Sequence, residues 1–313
     1  MNDLRDIDPA VLRDRYCGAL LGLAVGEALG APAEFLTCDQ VIERFGVLTE
    51  MVGGGCYNVA PGETTDATEM MLCLAESLVA TGGFDPEDIL ARYVAWFDGR
   101  PRDVSLTVRT VILALHSGTS WDLASRRAHE ILGSPTAGNG SLMRCAPLAL
   151  RFAGDDERRT QLSLRESVLT HFDRLAGWAC VAFNELLVAA IAGTLLARLP
   201  AIAADLRDED ARVADTLLHS VDAEPEEVQS SAFVLDTLET AIWAVVRSTS
   251  FEDAVVLAVN LGNDADTVGA VTGALAGALY GAQAIPPRWT APLLVHERVV
   301  DAATRLADLA GIA

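Results

Sequence analysis

The chain has 313 residues and a formal net charge of −21, with 51% hydrophobic and 21% charged residues. This charge would repel phosphate backbones and anionic lipid, so it argues against general binding to nucleic acid or to a membrane surface. All 23 basic residues are arginine, which excludes chemistry that depends on a lysine ammonium group, such as Schiff-base formation. The hydrophobic fraction is typical of a compact globular protein, and we expect one domain over residues 1–313, because large single-core folds reach this length.

The six cysteines are scattered without the paired spacing of metal sites or disulfide frameworks. We therefore expect buried free thiols in a reducing compartment. Residues 1–15 are charged and lack the apolar core of a signal peptide, which predicts a cytoplasmic protein. No apolar stretch reads as long and uniform enough to span a bilayer.

Helical periodicity dominates the sequence, and the alternation expected of strands is scarce. The pattern predicts an all-α fold, a compact helical bundle. The predicted helices cover residues 10–30, 68–81, 86–97, 104–117, 121–133, 142–152, 177–199, 227–248, 251–260 and 265–280. The acidic stretch 205–227 is the weakest candidate for ordered structure.

Glycine recurs every four residues in the first and in the last of these predicted helices. Spacing of four places each set on one helix face. Glycine inside a helix costs about 1 kcal/mol relative to alanine, so the two stripes suggest a compensating close approach of backbones. Both helices should be central and tightly packed and could contact each other, unless the stripes reflect only a glycine-rich genome. The stripes are Gly18, Gly22, Gly26 and Gly30, and Gly269, Gly273, Gly277 and Gly281.

Two acidic clusters lie where predicted helices begin. In the first, residues 63–69, Asp66 reads either as a helix cap completed by Glu69 or as a metal ligand. In the second, residues 262–267, Asp264 has the same two interpretations, whereas capping does not explain Asp266. Convergent carboxylate and hydroxyl oxygens are the ligands that magnesium or manganese prefers. Two such clusters in one chain predict a shared metal site.

Three further features are weaker signals of a site. The glycine-rich loop in residues 134–144 could present backbone N–H groups to an anion, although most such loops are simple turns. Glu34 follows the end of the first helix, where it could position a substrate or be solvated. His171 is the only histidine in a turn-like setting.

Together and in this order, these segments resemble the ADP-ribosylglycohydrolase family over nearly the whole chain. The resemblance rests on Gly26 to Gly30 with Glu34, Thr65 to Thr68, Gly138 to Arg144, and Asp264 to Thr267. It implies an all-α fold with two Mg²⁺ ions, or Mn²⁺ in their place, at the base of a cleft. The implied metal ligands are Thr65, Asp66, Asp264, Asp266 and Thr267. The implied catalytic residues are Glu34, Asp66 and Asp264, and the implied substrate-binding residues are Gly138, Asn139, Gly140, Ser141 and His171.

The activity that the resemblance implies is hydrolysis of the bond between ADP-ribose and a modified protein side chain, with arginine favoured. The expected partner is ADP-ribose or an ADP-ribosylated protein, and the sequence does not fix an oligomeric state. In such chemistry the metals orient the sugar and the water while a carboxylate takes the proton.

The serious departure from the family pattern is Ala67, where the family has a second aspartate. Its loss should weaken one metal site and slow turnover, while ADP-ribose binding partly survives. The chain is then either a deliberately inactivated variant, which the retention of every other motif favours, or a natural relative that only binds ADP-ribose. The sequence is also compatible with a hydrolase of another nucleoside glycoside, and with a helical protein whose acidic clusters are only caps. The replacements by Glu27 and Asn263 are milder.

Overall fold

The structure, a computed structural model, describes residues 4–133 and 136–312, and helices are their main regular secondary structure. Over these residues the only β pairing is three isolated bridges, and the predicted all-α fold is confirmed. The helices are α1 (Pro9–Gly30), α2 (Cys38–Phe45), α3 (Asp66–Thr81), α4 (Pro86–Asp98), α5 (Leu106–His116), α6 (Ala124–Leu132), α7 (Ala146–Arg151), α8 (Asp156–Ser167), α9 (Arg174–Ile191), α10 (Leu195–Leu206), α11 (Ala211–Asp222), α12 (Val234–Val246), α13 (Phe251–Val259), α14 (Ala265–Tyr280), α15 (Pro287–Thr290) and α16 (His296–Leu309). Short 3-10 helices cover Leu4–Asp6, Ala31–Ala33, Leu142–Arg144 and Ala282–Ala284.

The two glycine-striped helices, α1 and α14, pack against each other in antiparallel fashion. A Cβ on Gly22 would clash with the carbonyl oxygen of Gly273, and one on Gly273 would clash with that of Gly22. The same reciprocal relation joins Gly18 to Gly277 and Gly26 to Gly269. The predicted close approach of these backbones is therefore confirmed, and only glycine fits at this interface.

The main hydrophobic core surrounds this helix pair. Its buried residues extend from Leu12 in α1 to Ala307 in α16. Every residue of α14 from Ala265 to Ala278 is buried, which explains why this helix lacks a polar face. The organisation of residues 1–313 as one domain stays a prediction.

Several helices differ from the sequence prediction. The acidic stretch 205–227 contains α11, whose Val213 and Leu217 are buried and whose first turn is capped by the side chain of Asp210. The predicted helix 177–199 is two helices, because Gly193 adopts a left-handed φ of 70° between α9 and α10. Besides α11, the prediction missed α2, α8 and α16, which have polar or strongly amphipathic sequences and little continuous apolar pattern, and the four-residue α15.

Two segments are long and apolar enough to cross a membrane by length and composition alone, which corrects the sequence expectation. They are Pro9–Ala33 and Arg174–Ile191, with mean hydropathies of 1.3 and 1.4. In the fold, 94% and 83% of these windows are buried among other helices. Core helices have the same composition as spanning helices, because both are surrounded by apolar contacts.

The α1–α14 contact gives a stability prediction whose sign opposes helix propensity. Gly273→Ala would gain about 1 kcal/mol from propensity, but its Cβ would meet the backbone of Gly22. Overpacking a core costs about 1–3 kcal/mol, and a clash with rigid backbone belongs at the upper end. We expect a net loss of about 2 kcal/mol, measured as a lower urea midpoint.

Gly154→Ala is the control, because Gly154 is exposed and has open space around its Cβ position. It should change the unfolding free energy by less than about 0.5 kcal/mol. An unchanged or raised midpoint for Gly273→Ala would contradict the close packing of the two helices.

Candidate active site

The antiparallel packing brings the C-terminal end of α1 next to the N-terminal end of α14. The loop after α1 then pairs with the loop before α14: the backbone N–H of Phe35 donates to the carbonyl oxygen of Asn263 at 2.7 Å, and that of Asn263 donates to Leu36 at 2.5 Å. This pairing places Glu34 beside Asp264 and Asp266, and oxygen atoms of these three carboxylates lie within 4.8 Å of one another.

The paired loops hold two residues in the left-handed region of backbone conformation. Phe35 has a φ of 62° and Asn263 a φ of 54°. Asparagine tolerates this region better than most residues, which accounts for its presence where the family pattern has glycine. Phenylalanine does not favour it, so the reciprocal backbone hydrogen bonds must hold Phe35 in place.

Glu27 of α1 organises the start of α3. Its carboxylate accepts hydrogen bonds from the backbone N–H groups of Ala67 at 2.8 Å and Thr68 at 3.2 Å, and from Thr65 Oγ1 at 2.8 Å. Glu27 therefore satisfies two of the N–H groups that every helix leaves unpaired at its start. The buried carboxylate of another helix performs the capping here.

The interpretation of Asp66 and Glu69 as a capping pair does not hold. Thr65 is the N-cap of α3 and makes no side-chain capping bond. Glu69 is instead paired with Arg298, at 2.8 Å. Asp66 is buried within the cluster, and its carboxylate is free of a capping role.

The start of α14 shows the same absence of capping. Asp264 is the N-cap residue but makes no capping bond, and its Oδ2 accepts from Asn139 Nδ2 at 2.5 Å. Asp266 Oδ1 accepts from the N–H of Thr267 at 2.7 Å, and its Oδ2 lies 3.3 Å from Thr65 Oγ1. Thr65 and Asp266 thus connect α3 to α14 within the cluster.

A carboxylate that lies outside the sequence motifs also belongs here. Asp103, just before α5, lies close enough to Asp66 and to the hydroxyl of Tyr57 for both side chains to affect its pKa. Its signal in the sequence is a lone acid near a helix start, which is too common to be distinctive. The carboxylate cluster is thus formed by Glu27, Glu34, Asp66, Asp103, Asp264 and Asp266.

The cluster concentrates negative charge away from solvent. Burial is the largest cause of the altered acidity, and the neighbouring carboxylates add to it. Together they raise the pKa of Glu27 and of Asp264 to about 7 and that of Asp103 to about 6. They also raise the pKa values of Glu34 and Asp66 well above the ordinary range.

These residues fit a divalent cation. Carboxylate and threonine oxygens are hard donors, and Glu34 Oε2 is buried without a hydrogen-bond partner among the described residues. The hydrogen bonds of the described residues bring no arginine to the cluster. Buried like charges require a compensating positive charge or protonation.

The glycine-rich loop lies on the other side of Asp264. Backbone pairing with residues 232–234 holds it, and the amide of Asn139 bridges Asp264 and Thr237. His171 packs against Gly140, where a Cβ would lie 3.1 Å from Nε2. Ser141 is fully buried, and its hydroxyl accepts from Ser167 at 2.9 Å. Ser134 and Pro135 of this segment lie outside the described residues.

Two cavities differ in their relation to this site. A cavity of about 380 Å³ adjoins the glycine-rich loop and is lined by apolar groups that include Leu106, Leu132 and Phe233. A larger one, of about 1120 Å³, lies between the N-terminal segment and α8 and shares no lining residue with the carboxylate cluster. No cluster carboxylate lines either cavity, but Gly138 of the glycine-rich loop lines the smaller one, so we place the site at the carboxylates and the glycine-rich loop.

An all-α fold with a buried carboxylate cluster at the junction of two glycine-striped helices matches a known class of hydrolase. Residues 8–312 match the sequence model of ADP-ribosylglycohydrolase, and the chain belongs to that family.

Individual relatives agree with this assignment. The chain is 36% identical to the ADP-ribosyl-[dinitrogen reductase] glycohydrolase of Rhodospirillum rubrum, with 95% of this chain and 98% of the relative covered. It is 35% identical to the ADP-ribosylarginine hydrolase Tri1 of Serratia proteamaculans, covering 94% and 79%. A solved structure described as an ADP-ribosylglycohydrolase-related protein complex aligns with a TM-score of 0.83 at 37% identity, covering 96% of this chain and 99% of that one.

The raised pKa values give a pH dependence of stability in the presence of chelator. The folded protein holds protons on Glu27, Asp103 and Asp264 that the unfolded chain has released, so stability is lost as the pH rises from about 4 through 7. The thermal midpoint should fall between pH 5 and pH 8. Asp264→Asn should reduce that fall, because it removes one of the carboxyl groups whose pKa is raised.

Asp208→Asn controls for the general effect of net charge, because Asp208 is exposed and far along the chain from the cluster. It should leave the pH dependence as in the parent protein. Equal slopes for the parent, Asp208→Asn and Asp264→Asn would show that the cluster does not govern this titration.

Proposed function

We propose that this protein hydrolyses the glycosidic bond between ADP-ribose and an arginine side chain of a modified protein, with the help of divalent metal ions, and that Ala67 slows the reaction. The observation that carries the proposal is the buried carboxylate cluster, which has no arginine partner among the described residues and lies beside a glycine-rich loop. The family membership supplies the reaction class. We also propose a cytoplasmic location, consistent with six cysteines that are all free thiols.

The residues that would hold two Mg²⁺ ions, or Mn²⁺ in their place, are Thr65, Asp66, Asp264, Asp266 and Thr267. Thr65 and Asp266 are already in hydrogen-bond contact across α3 and α14, and all of these residues except Asp264 are buried. When bound, the cations would offset the clustered charge and polarise the ribose hydroxyls and the water. Their positive charge would also allow an anionic diphosphate to approach a protein of net charge −21.

The carboxylates supply the acid–base chemistry. In the hydrolysis, the oxygen of water bonds to the anomeric carbon, the bond from that carbon to the guanidine nitrogen breaks, and the leaving nitrogen gains a proton. We assign removal of the water proton to Asp66 or Asp264. Glu34, on the loop at the mouth of the cluster, would orient the scissile bond. An oxocarbenium-like transition state is favoured by the surrounding negative charge.

The glycine-rich loop and His171 would receive the diphosphate. Gly138 and Gly140 leave room for close approach to the backbone, and His171 lies against both glycines. The apolar cavity of about 380 Å³ begins at Gly138 and would accommodate the adenosine end, with Phe233 in its wall.

Two aromatic residues at the mouth favour arginine as the acceptor. Phe35 is 68% exposed, follows Glu34 directly, and packs edge-on to Tyr57 with ring centroids 6.3 Å apart. Exposed aromatic faces beside carboxylates attract a planar guanidinium by cation–π and charge interactions. The name of the Serratia relative, ADP-ribosylarginine hydrolase, is consistent with this acceptor.

A second candidate function is binding of ADP-ribose without hydrolysis, and Ala67 is the observation that favours it. Ala67 is buried, and its N–H donates to Glu27, so the fold of α3 is intact without a carboxylate at this position. Binding could therefore survive where turnover does not.

The first test is calorimetric titration of ADP-ribose in the presence of Mg²⁺ and again with chelator. We expect at least about tenfold tighter binding with Mg²⁺, equivalent to ~1.4 kcal/mol. Asp266→Asn should remove most of that difference, whereas Asp208→Asn, which makes the same charge change at an exposed site, should retain it. Equal affinity for ADP-ribose with Mg²⁺ and with chelator would contradict the proposed role of the metal.

The second test restores the family carboxylate. Ala67→Asp should raise the turnover of an ADP-ribosylarginine peptide by at least about tenfold, because it restores a carboxylate to the weakened metal site, and changes even around the ligands of a metal typically cost about 10- to 100-fold in activity. Ala67→Asn is the matched control, with the same size and no charge, and should stay near the parent rate. If Ala67→Asp binds ADP-ribose yet releases none from the peptide, the binding function is the correct one.

A further inference from the structure

A row of four buried polar side chains leads from the interior to the glycine-rich loop. Arg144 Nε donates to Glu166 Oε1 at 2.6 Å, and Arg144 Nη2 donates to Thr170 Oγ1 at 2.8 Å. Thr170 Oγ1 lies 2.8 Å from His171 Nδ1. Every member of this row, here called the Glu166–His171 relay, is at most 2% exposed.

The donor–acceptor pattern fixes the proton on the histidine ring. The guanidinium of Arg144 can only donate, so Thr170 Oγ1 accepts from it. The remaining hydroxyl proton of Thr170 has one neighbour that can accept it among the hydrogen bonds of the described residues, His171 Nδ1. If Nδ1 carried a proton instead, a buried hydroxyl would be left without an acceptor, which costs about 1–3 kcal/mol. The neutral ring must then carry its proton on Nε2.

The charged form of the ring is also disfavoured. Burial, and then the nearby positive charge of Arg144, lower the pKa of His171 to about 3. The carboxylate of Glu166 does not stabilise a charged His171 ring, because that carboxylate already accepts hydrogen bonds from Arg144 and from the hydroxyl of Tyr93.

The Nε2 atom faces the glycine-rich loop. It would lie 3.1 Å from a Cβ on Gly140 and 3.6 Å from one on Gly138. No hydrogen bond within residues 4–133 and 136–312 uses Nε2. A ring nitrogen that has no partner among the described residues, on a side chain only 2% exposed and beside the glycine-rich loop, is suited to a ligand.

We propose that Glu166, Arg144 and Thr170 are positioning residues that hold His171 as the neutral Nε2–H tautomer, so that the site offers its ligand one donor and no acceptor at this point. The identity of the ligand rests on the proposed function: a diphosphate oxygen accepts and cannot donate, so it matches this tautomer and would be repelled by the other.

The tautomer can be measured without ligand or metal, by long-range ¹H–¹⁵N correlation NMR of the protein labelled with ¹⁵N-histidine. His171→Gln identifies the His171 signals by their loss. We expect a protonated Nε2 and an unprotonated Nδ1 in the parent and in Thr170→Ser, which keeps the hydroxyl. Thr170→Val, of nearly equal size, should shift the ring toward the Nδ1–H tautomer or a mixture, and Thr170→Ala replaces it if the valine variant does not fold.

A parent ring protonated on Nδ1 or on both nitrogens overturns the proposal, and so does an unchanged tautomer in the variant that lacks the hydroxyl.

Titration of ADP-ribose in the presence of Mg²⁺ tests the effect of the tautomer on binding. Loss of the hydroxyl should weaken binding about five- to tenfold, and Thr170→Ser should stay within about twofold. If the tautomer is as expected but ADP-ribose does not bind to the parent, the relay stands and the proposed function fails.

Discussion

The contact between α1 and α14 is the constraint on which the site depends. Because carbonyl oxygens of each helix occupy the space that a Cβ would fill on the other, the two helices have one register and one separation. That register brings the end of α1 to the start of α14. Glu27 then reaches across to hold the first turn of α3, which sets the positions of Thr65 and Asp66. Three helices distant in sequence thus meet through backbone contact and one buried carboxylate.

The same geometry brings the carboxylates of the cluster together at a point where no arginine of the described chain forms a hydrogen bond with them. A fold selected only for stability would put an arginine here, as it does where Arg144 meets Glu166. Elsewhere in the described chain, arginines such as Arg159 and Arg298 are tied to carboxylates at short distance. The unbalanced charge therefore belongs to the site, consistent with the general observation that perturbed acidity concentrates where chemistry occurs.

Some of this was predictable from the sequence. Glycine at intervals of four in a helix is best explained by close approach of another backbone, so the central position and close packing of α1 and α14 followed from the pattern alone. The acidic clusters were correctly placed at helix starts. The sequence could not reveal that neither cluster caps its own helix, because the cap of α3 comes from Glu27, nearly forty residues earlier. Asp103 gives a weak signal because its neighbours carry no distinctive spacing. The helix α11 was missed because its exposed acidic face obscures the apolar positions Val213 and Leu217.

The distance along the chain between α1 and α14 has a consequence for how the protein is made. The glycine face of α1 is synthesised long before its partner, which begins at Ala265. During synthesis on the ribosome, the apolar helix α1 therefore lacks its packing partner until α14 has been made. Exposed apolar surface of this kind favours chaperone binding or aggregation. A chain that stops before α14 would lose both the helix that fills the core and two of the carboxylates. The site is therefore complete only after α14 has been synthesised.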